Sequence, residues 1–145
     1  MKCARVYRRK NAWIMHADSQ TTVEAWIATA PRIRLHPEAS PEEIGNALKL
    51  MIDGSKHSIP HPTDWNGSFR ETLELAGVRS WSEFSRGTAC ISVELGGAQI
   101  RLSPWENKGA RAGYTPLPHK DFSIPSDSSA EAIGRAVQQA IELCE

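Results

Sequence analysis

The same helix start occurs twice in this 145-residue chain, and it constrains the fold more than any other feature. A shift of 89 residues superimposes identical residue types in the two segments: Ser40 on Ser129, Glu42 on Glu131, Ile44 on Ile133, Gly45 on Gly134 and Ala47 on Ala136. A serine before a helix accepts a backbone N–H bond as its N-cap, and apolar residues spaced by three and four form one buried stripe. The sequence therefore predicts two similar strand–helix units, one near each end of the chain.

The glycine near the start of each predicted helix is informative. Glycine inside a helix costs about 1 kcal/mol relative to alanine. Gly45 and Gly134 nevertheless occupy the same place in both units. We therefore expect each helix to pack closely at this point, against a strand or the sheet.

The first third of the chain has the two-residue alternation typical of half-buried strands. We expect strands at Ala4–Arg9, Ala12–His16 and Thr22–Ala28, followed by a short strand at Arg32–His36. Together they predict an antiparallel meander.

The middle of the chain predicts further helices. One begins near Asp64 or Gly67 and ends at Gly77, and four residues share its apolar face: Trp65, Phe69, Leu73 and Ala76. A short helix follows Ser80, which is spaced from Glu83 as in a capping box. We expect Trp13, Trp65 and Trp81 to lie in the core.

A hairpin follows, with Gly96-Gly97 as its turn. We interpret Pro104–Lys120 as a long loop, which in a compact domain is usually functional or mobile. Phe122–Pro125 is a last short strand. The predicted fold is a single α/β (α+β) domain over residues 1–145, with a mixed, mostly antiparallel sheet, about three main helices, and two strand–helix units bracketing a central hairpin.

Composition and motifs exclude several classes of protein. The 17 basic residues balance 17 acidic ones, which disfavours a strongly basic nucleic-acid binder.

We find no catalytic motif and predict no enzyme activity, cofactor or metal site. His57 and His61 are separated by Pro60 and more simply belong to a solvated loop. Three distant cysteines fit a reducing cytoplasm. No run of about 18 apolar residues is present.

A nucleic-acid-binding module is the alternative. Arg5, Tyr7, Arg8, Arg9 and Lys10 combine basic and aromatic groups, as a strand that stacks bases would. A charged, solvated edge strand explains the same residues.

Candidate partner-binding residues lie elsewhere. Trp105 and Glu106, with Tyr114 further on, combine aromatic groups with charge, as interface anchors do. The two aromatic rings can equally fold back over the sheet. Asp64 and Glu71 are further candidates, for an acidic patch; a solvated helix face explains them as well.

The doubled helix start carries a resemblance. Segments 34–48 and 124–137 bracket Ser82-Glu83-Phe84, Cys90–Val93 and Ile100–Pro104. In this arrangement the chain resembles immunity proteins of bacterial contact-dependent growth-inhibition (CDI) systems. The resemblance implies a small cytoplasmic protein that binds and neutralises the C-terminal toxin domain, often a nuclease, of a cognate effector. Trp105-Glu106-Asn107 and Gly113-Tyr114 depart from that pattern, so no binding residue is carried over.

Overall fold

The computed structural model describes residues 1–64 and 66–145. Its elements, in chain order, are β1 (Lys2–Arg9), β2 (Ala12–Gln20), β3 (Trp26–Leu35), α1 (Pro41–Asp53), α2 (Asn66–Ala76), α3 (Trp81–Ser85), β4 (Ala89–Gly96), β5 (Gln99–Asn107), β6 (Tyr114–Pro116), β7 (Phe122–Pro125) and α4 (Ala130–Leu143). Within the described residues, seven strands form one sheet in the order β3-β2-β1-β4-β5, and both β6 and β7 pair with β5. The pairings between these strands are antiparallel. The α/β class predicted from the sequence is therefore confirmed.

Both predicted helix starts are confirmed. Ser40 Oγ accepts the backbone N–H of Glu43 at 3.2 Å, and the Glu43 carboxylate accepts the N–H of Ser40 at 3.3 Å. Ser129 Oγ accepts the N–H of Ala132 at 3.1 Å. These bonds satisfy backbone donors that the first turn of a helix leaves without partners, and they begin α1 at Pro41 and α4 at Ala130.

The two helix glycines pack closely, as predicted, but against the other helix and not against the sheet. A Cβ atom added to Gly45 would lie 1.8 Å from the carbonyl oxygen of Ala130, and one added to Gly134 would lie 1.7 Å from that of Pro41. Each glycine thus receives the first residue of the opposite helix. The repeat in the sequence corresponds to a reciprocal contact between α1 and α4.

The helices α1 and α4 cover one side of the sheet, which we call the first face. Its core joins the helix stripes to alternate strand residues, including Ile44, Leu48, Met51, Ile133, Val137, Val6, Met15, Ile91, Val93 and Leu102. Trp13 is also in this core, as predicted. Among the described residues, no helix is both long and apolar enough to cross a membrane.

The predicted strand at Thr22–Ala28 is wrong in its position. β2 extends to Gln20, and the chain then turns at Thr21, whose hydroxyl accepts the N–H groups of Val23 and Ala25 at 3.3 and 3.2 Å. β3 begins only at Trp26 and continues to Leu35, so it includes most of the region predicted as a separate strand at Arg32–His36. The alternating apolar residues did not reveal this turn, because a threonine side chain makes it.

The predicted long loop at Pro104–Lys120 is also wrong in most of its length. β5 continues to Asn107, and β6 returns beside it, with Trp105 opposite Pro116 and Asn107 opposite Tyr114. Positive φ angles at Gly109 and Gly113, 93° and 72°, form the turn between them. Prolines and glycines here mark a hairpin and its turn.

The helices α2 and α3 confirm the middle of the prediction. α3 begins after Ser80, whose hydroxyl accepts the N–H of Glu83 at 3.1 Å. Trp81 is partly buried and packs in a second core with Phe84 and Leu73. The predicted core position of Trp65 lies outside the described residues.

Candidate partner-binding surface

The side of the sheet opposite α1 and α4, which we call the second face, is built differently. Tyr7 lies opposite Ile14 on β2 and Cys90 on β4, and these residues pack with Phe84 and Ala76. Residues directly opposite one another on neighbouring strands project to the same side of a sheet. α2, α3 and the β5–β6 hairpin therefore cover only part of this face with an apolar layer.

Trp105 lies across the second face. Its indole Nε1 donates to Ser92 Oγ at 3.1 Å, and the guanidinium carbon of Arg5 stands 5.0 Å from the ring centroid. The ring also packs against the second core and stays partly exposed. Trp105 thus folds back over the sheet while one part of its ring remains exposed.

Tyr114 ties the hairpin to the sheet. Its hydroxyl donates to the carbonyl oxygen of Thr88 at 2.8 Å, and its ring lies 6.1 Å from that of Tyr7. Burial raises the pKa of the Tyr114 hydroxyl, which therefore stays a donor at neutral pH. Asn107 supports the same junction, because its side chain donates to the carbonyl oxygens of Ser85 and Thr88 at 2.6 and 3.0 Å.

The candidate acidic residues lie on the rim of this layer. Glu71 on α2 forms an ion pair with Arg32 on β3, with 2.6 Å between Glu71 Oε2 and Arg32 Nη1. The Glu71 side chain is 64% exposed. Glu106 Oε2 lies 3.8 Å from Lys108 Nζ, and the Glu106 side chain is 37% exposed. Asp64 is exposed and precedes α2. Trp105 and Tyr114 thus belong to the second face, and Glu71 lies beside it through Arg32. Glu106 follows Trp105 on β5, so its side chain projects to the other side of the hairpin.

The basic N-terminal strand does not form an edge. β1 lies between β2 and β4, so the interpretation as a charged edge strand is wrong. The guanidinium carbon of Arg8 lies 5.1 Å from the ring of Trp13, and that of Arg9 lies 5.1 Å from the ring of Phe84. Both arginines are partly buried and pack against aromatic rings of the protein, and the geometry gives no specific support to a base-stacking platform.

Sequence reasoning missed a polar cluster on β1 and β2. Asp18 Oδ1 lies 3.2 Å from His16 Nδ1, and Asp18 Oδ2 lies 3.5 Å from Arg5 Nη2. His16 and Asp18 are both buried. Their two-residue spacing, which puts both on one side of a strand, was the available signal, but their partner Arg5 comes from a neighbouring strand.

The cysteines Cys3 and Cys90 are buried, and Cys144 is partly buried. Burial raises the pKa of the Cys3 thiol to about 11 and that of Cys90 to about 12, so both are protonated at neutral pH. The Cys144 thiol lies 3.3 Å from the carbonyl oxygen of Cys90. None of the three forms a disulfide within the described chain. In the same part of the chain, no three His, Cys, Asp or Glu side chains are grouped to hold a metal ion.

A comparison with known proteins identifies a family model that matches this chain. The family model described as CdiI, CDI immunity protein, matches residues 63–144. No curated protein matches this sequence. The fold is similar to a protein of unknown function from Neisseria meningitidis, with a TM-score of 0.85, 14% identity, and coverage of 99% of this chain and 95% of that one. It is also similar to a chain in a CdiA-CT/CdiI toxin and immunity complex from Yersinia pseudotuberculosis, with a TM-score of 0.83, 12% identity, and coverage of 99% and 97%.

Proposed function

Since this chain belongs to the CdiI family of CDI immunity proteins, we propose that it binds the C-terminal toxin domain of a cognate CDI effector and blocks that domain. The family match over residues 63–144 is the observation that carries the proposal. That region contains α2, α3 and the β5–β6 hairpin. Members of such a family act as inhibitors, and the protonated thiols described above agree with a protein that contributes shape and charge.

The second-face side is the proposed contact surface. The aromatic groups Trp105 and Tyr114 supply rigid area, and both are held by hydrogen bonds to the sheet or its loops. Side chains already fixed in place lose little entropy on binding. The rim acids Asp64 and Glu71 lie just before and on α2, and Glu106 lies on the β5–β6 hairpin. The first face is filled by α1 and α4 and serves the stability of the domain.

The rim acids support a nuclease as the toxin. An enzyme that cleaves nucleic acid needs a basic cleft for phosphates. Local acidic groups on an otherwise neutral inhibitor steer it to such a cleft and raise the association rate. We place this encounter in the cytoplasm, where nucleic acids are reached and where three free thiols persist.

The test is protection from the toxin domain encoded directly upstream. We expect co-expression of the chain to restore growth of a bacterial host that expresses this domain. The purified domain should cleave nucleic acid and stop when the chain is added in equal amount.

A double variant with two reversed charges tests the location of the proposed contact surface. Glu71→Lys with Glu106→Lys should reduce affinity at least about tenfold, because the rim charges set electrostatic attraction. The matched control, Glu42→Lys with Glu142→Lys, makes the same charge change at exposed positions of α1 and α4 and should leave affinity unchanged. Absence of protection by the unmodified chain would contradict the function; an equal loss in the control would contradict the surface.

A further inference from the structure

A groove of about 460 Å³ lies between α2 and α3, on the second-face side of the molecule. Phe69 and Leu73 on α2, with Trp81 at the start of α3, form its apolar lining. Two charged residues, Arg70 and Arg79, complete the lining. We call this cavity the arginine groove.

The backbone turn at the end of α2 shapes the groove. The N–H of Gly77 donates to the carbonyl oxygen of Glu74 at 3.1 Å. The N–H of Val78 donates to that of Leu73, also at 3.1 Å. This pair of bonds is the Schellman motif, which uses a residue with positive φ, and Gly77 has a φ of 74°. The motif reverses the chain, so the residues that follow it line the groove together with α2.

The aromatic walls of the groove are held in place by the second core. The ring of Trp81 stacks on that of Phe84 with 5.3 Å between the centroids, and Phe84 is fully buried. The ring of Phe69 meets that of Trp81 edge-on at 5.4 Å, yet Phe69 remains 49% exposed. Burial of such a ring by a partner is favourable, and walls that are already fixed lose little entropy on binding.

The two arginines of the groove carry charges that the chain leaves uncompensated. Arg70 and Arg79 are exposed, and neither forms an ion pair within the described residues. Arg32, on the neighbouring strand β3, is by contrast paired with Glu71. The Glu83 carboxylate lies 3.5 Å from the backbone nitrogen of Arg79 and does not pair with its guanidinium. The described lining of the groove therefore combines apolar surface with positive charge alone.

We propose that the arginine groove binds a segment of the toxin domain in which a bulky apolar side chain stands beside an Asp or Glu. This inference rests on the proposed function and names one contact within it. The apolar side chain covers the exposed parts of Phe69 and Trp81, and the carboxylate accepts hydrogen bonds from Arg70 or Arg79. Guanidinium groups suit this role because they hold a carboxylate through two parallel bonds.

The geometry favours such a segment over a nucleic acid. A base stacks on a free aromatic face, whereas one face of Trp81 is occupied by Phe84 and its ring is also in contact with Phe69. The same helix, α2, carries the exposed acids Glu71 and Glu74, which repel a run of phosphates more than one carboxylate held at the arginines.

The rim acids and the arginine groove select opposite charges. The rim acids attract a basic part of the toxin, and the arginines attract an acidic part beside it. A partner has to present both in the right places, so the combination adds specificity to the attraction.

Neutralising the arginines distinguishes this contact from general electrostatic attraction. Arg70→Gln with Arg79→Gln removes two positive charges, which would strengthen binding to a toxin surface that is basic throughout. We expect the opposite: the double variant should weaken toxin binding at least about tenfold, measured by isothermal titration calorimetry, because a toxin carboxylate loses its partners. The matched control, Lys49→Gln with Arg135→Gln, removes two positive charges from exposed positions of α1 and α4 and should not weaken binding.

A second variant tests the apolar half of the groove. Phe69→Ala should weaken toxin binding about tenfold, because the apolar side chain of the toxin loses one wall of its site. Leu50→Ala changes another large apolar residue, 59% exposed on α1, and should leave toxin binding unchanged. Both positions are on the surface, and circular dichroism checks that both variants fold.

A double-mutant cycle identifies the toxin carboxylate. Each Asp and Glu of the toxin domain is changed in turn to Asn or Gln. We expect one of these changes to weaken binding to the unmodified chain about tenfold. The same change should alter binding to the Arg70→Gln, Arg79→Gln variant less than about twofold, since the partners of that carboxylate are already absent.

The outcomes separate the two proposals. Toxin binding that is unchanged or stronger in the arginine variant would overturn the groove assignment even if the chain protects cells, and so would a toxin with no carboxylate coupled to the arginines. Binding of a single-stranded oligonucleotide to the isolated chain, lost in the arginine variant, would overturn it in favour of a nucleic acid. Toxin that fails to bind the unmodified chain at all would contradict the proposed function, and the groove assignment with it.

Discussion

The two faces of the sheet are held by different kinds of interaction. The first face is covered by α1 and α4, and its side chains are almost entirely apolar. The second face is only partly covered, and buried charges and hydroxyls lie there among aromatic rings. One layer is organised for stability. The other layer keeps polar atoms near the surface at a cost in stability, which is typical of a surface that binds.

The contact between α1 and α4 leaves no space for larger residues at two positions of the first face. Gly45 and Gly134 each admit a carbonyl oxygen of the opposite helix into the space of a Cβ atom. Backbone atoms cannot move aside as a flexible side chain can, so the helices must separate to accept any larger residue.

The largest expected effect therefore comes from Gly45→Ala. In an isolated helix this change stabilises by about 1 kcal/mol. Here the new methyl would lie 1.8 Å from the Ala130 carbonyl oxygen, and we expect a loss of about 3 kcal/mol in the free energy of unfolding. Urea denaturation followed by circular dichroism measures it.

The matched control is Gly96→Ala at the end of β4, where a Cβ atom meets nothing within 4 Å. Its effect should stay within about 0.5 kcal/mol. Stabilisation by Gly45→Ala would show that the helices are not in close contact, and the contrast between the faces would be lost.

A smaller effect should come from alkaline pH and arise on the second face. Cys3 and Cys90 project there beside Arg5 and Tyr7, and their folded pKa values, about 11 and about 12, lie above the ordinary 9.0. A raised pKa gives stability that is complete below pH 9 and is lost as pH rises towards 12. We expect the free energy of unfolding to fall across this window, by at most about 1.4 kcal/mol per pH unit for each thiol.

Cys90→Ala should flatten this fall, measured by denaturation under reducing conditions. If the free energy of unfolding of Cys90→Ala falls with pH as steeply as that of the unmodified chain, groups other than Cys90 cause the loss of stability at alkaline pH. The first-face core contains fewer groups that ionise in this range, so its variants should keep the slope of the unmodified chain.

The sequence predicted the first face better than the second, for a physical reason. A helix start is local: Ser40 and Glu43 are three residues apart and make their bonds without help from the rest of the chain. The repeated glycine also predicted a close contact. The partner in the structure is the other helix, where a strand or the sheet was expected. Short-range chemistry of this kind is visible in a single chain.

The second face depends on pairings between distant residues. Arg5 and Asp18 meet only because β1 and β2 pair in one register, and Trp105 on β5 reaches Ser92 only because β4 is the neighbouring strand. Neither contact follows from spacing. The sequence predicts a loop in place of the hairpin at 105–116 for the same reason, since its strands are defined by pairing more than by residue type. Which of Asp64, Glu71, Trp105, Glu106 and Tyr114 contact a partner stays a prediction.

The location of the binding surface can be measured directly by hydrogen exchange of the chain with and without the toxin domain. If the second-face side binds, backbone amides at 69–76 and 105–116 should exchange at least about tenfold more slowly in the complex, and amides in α1 and α4 should not change. Slower exchange confined to α1 and α4, with no change in the hairpin or α2, would contradict the account.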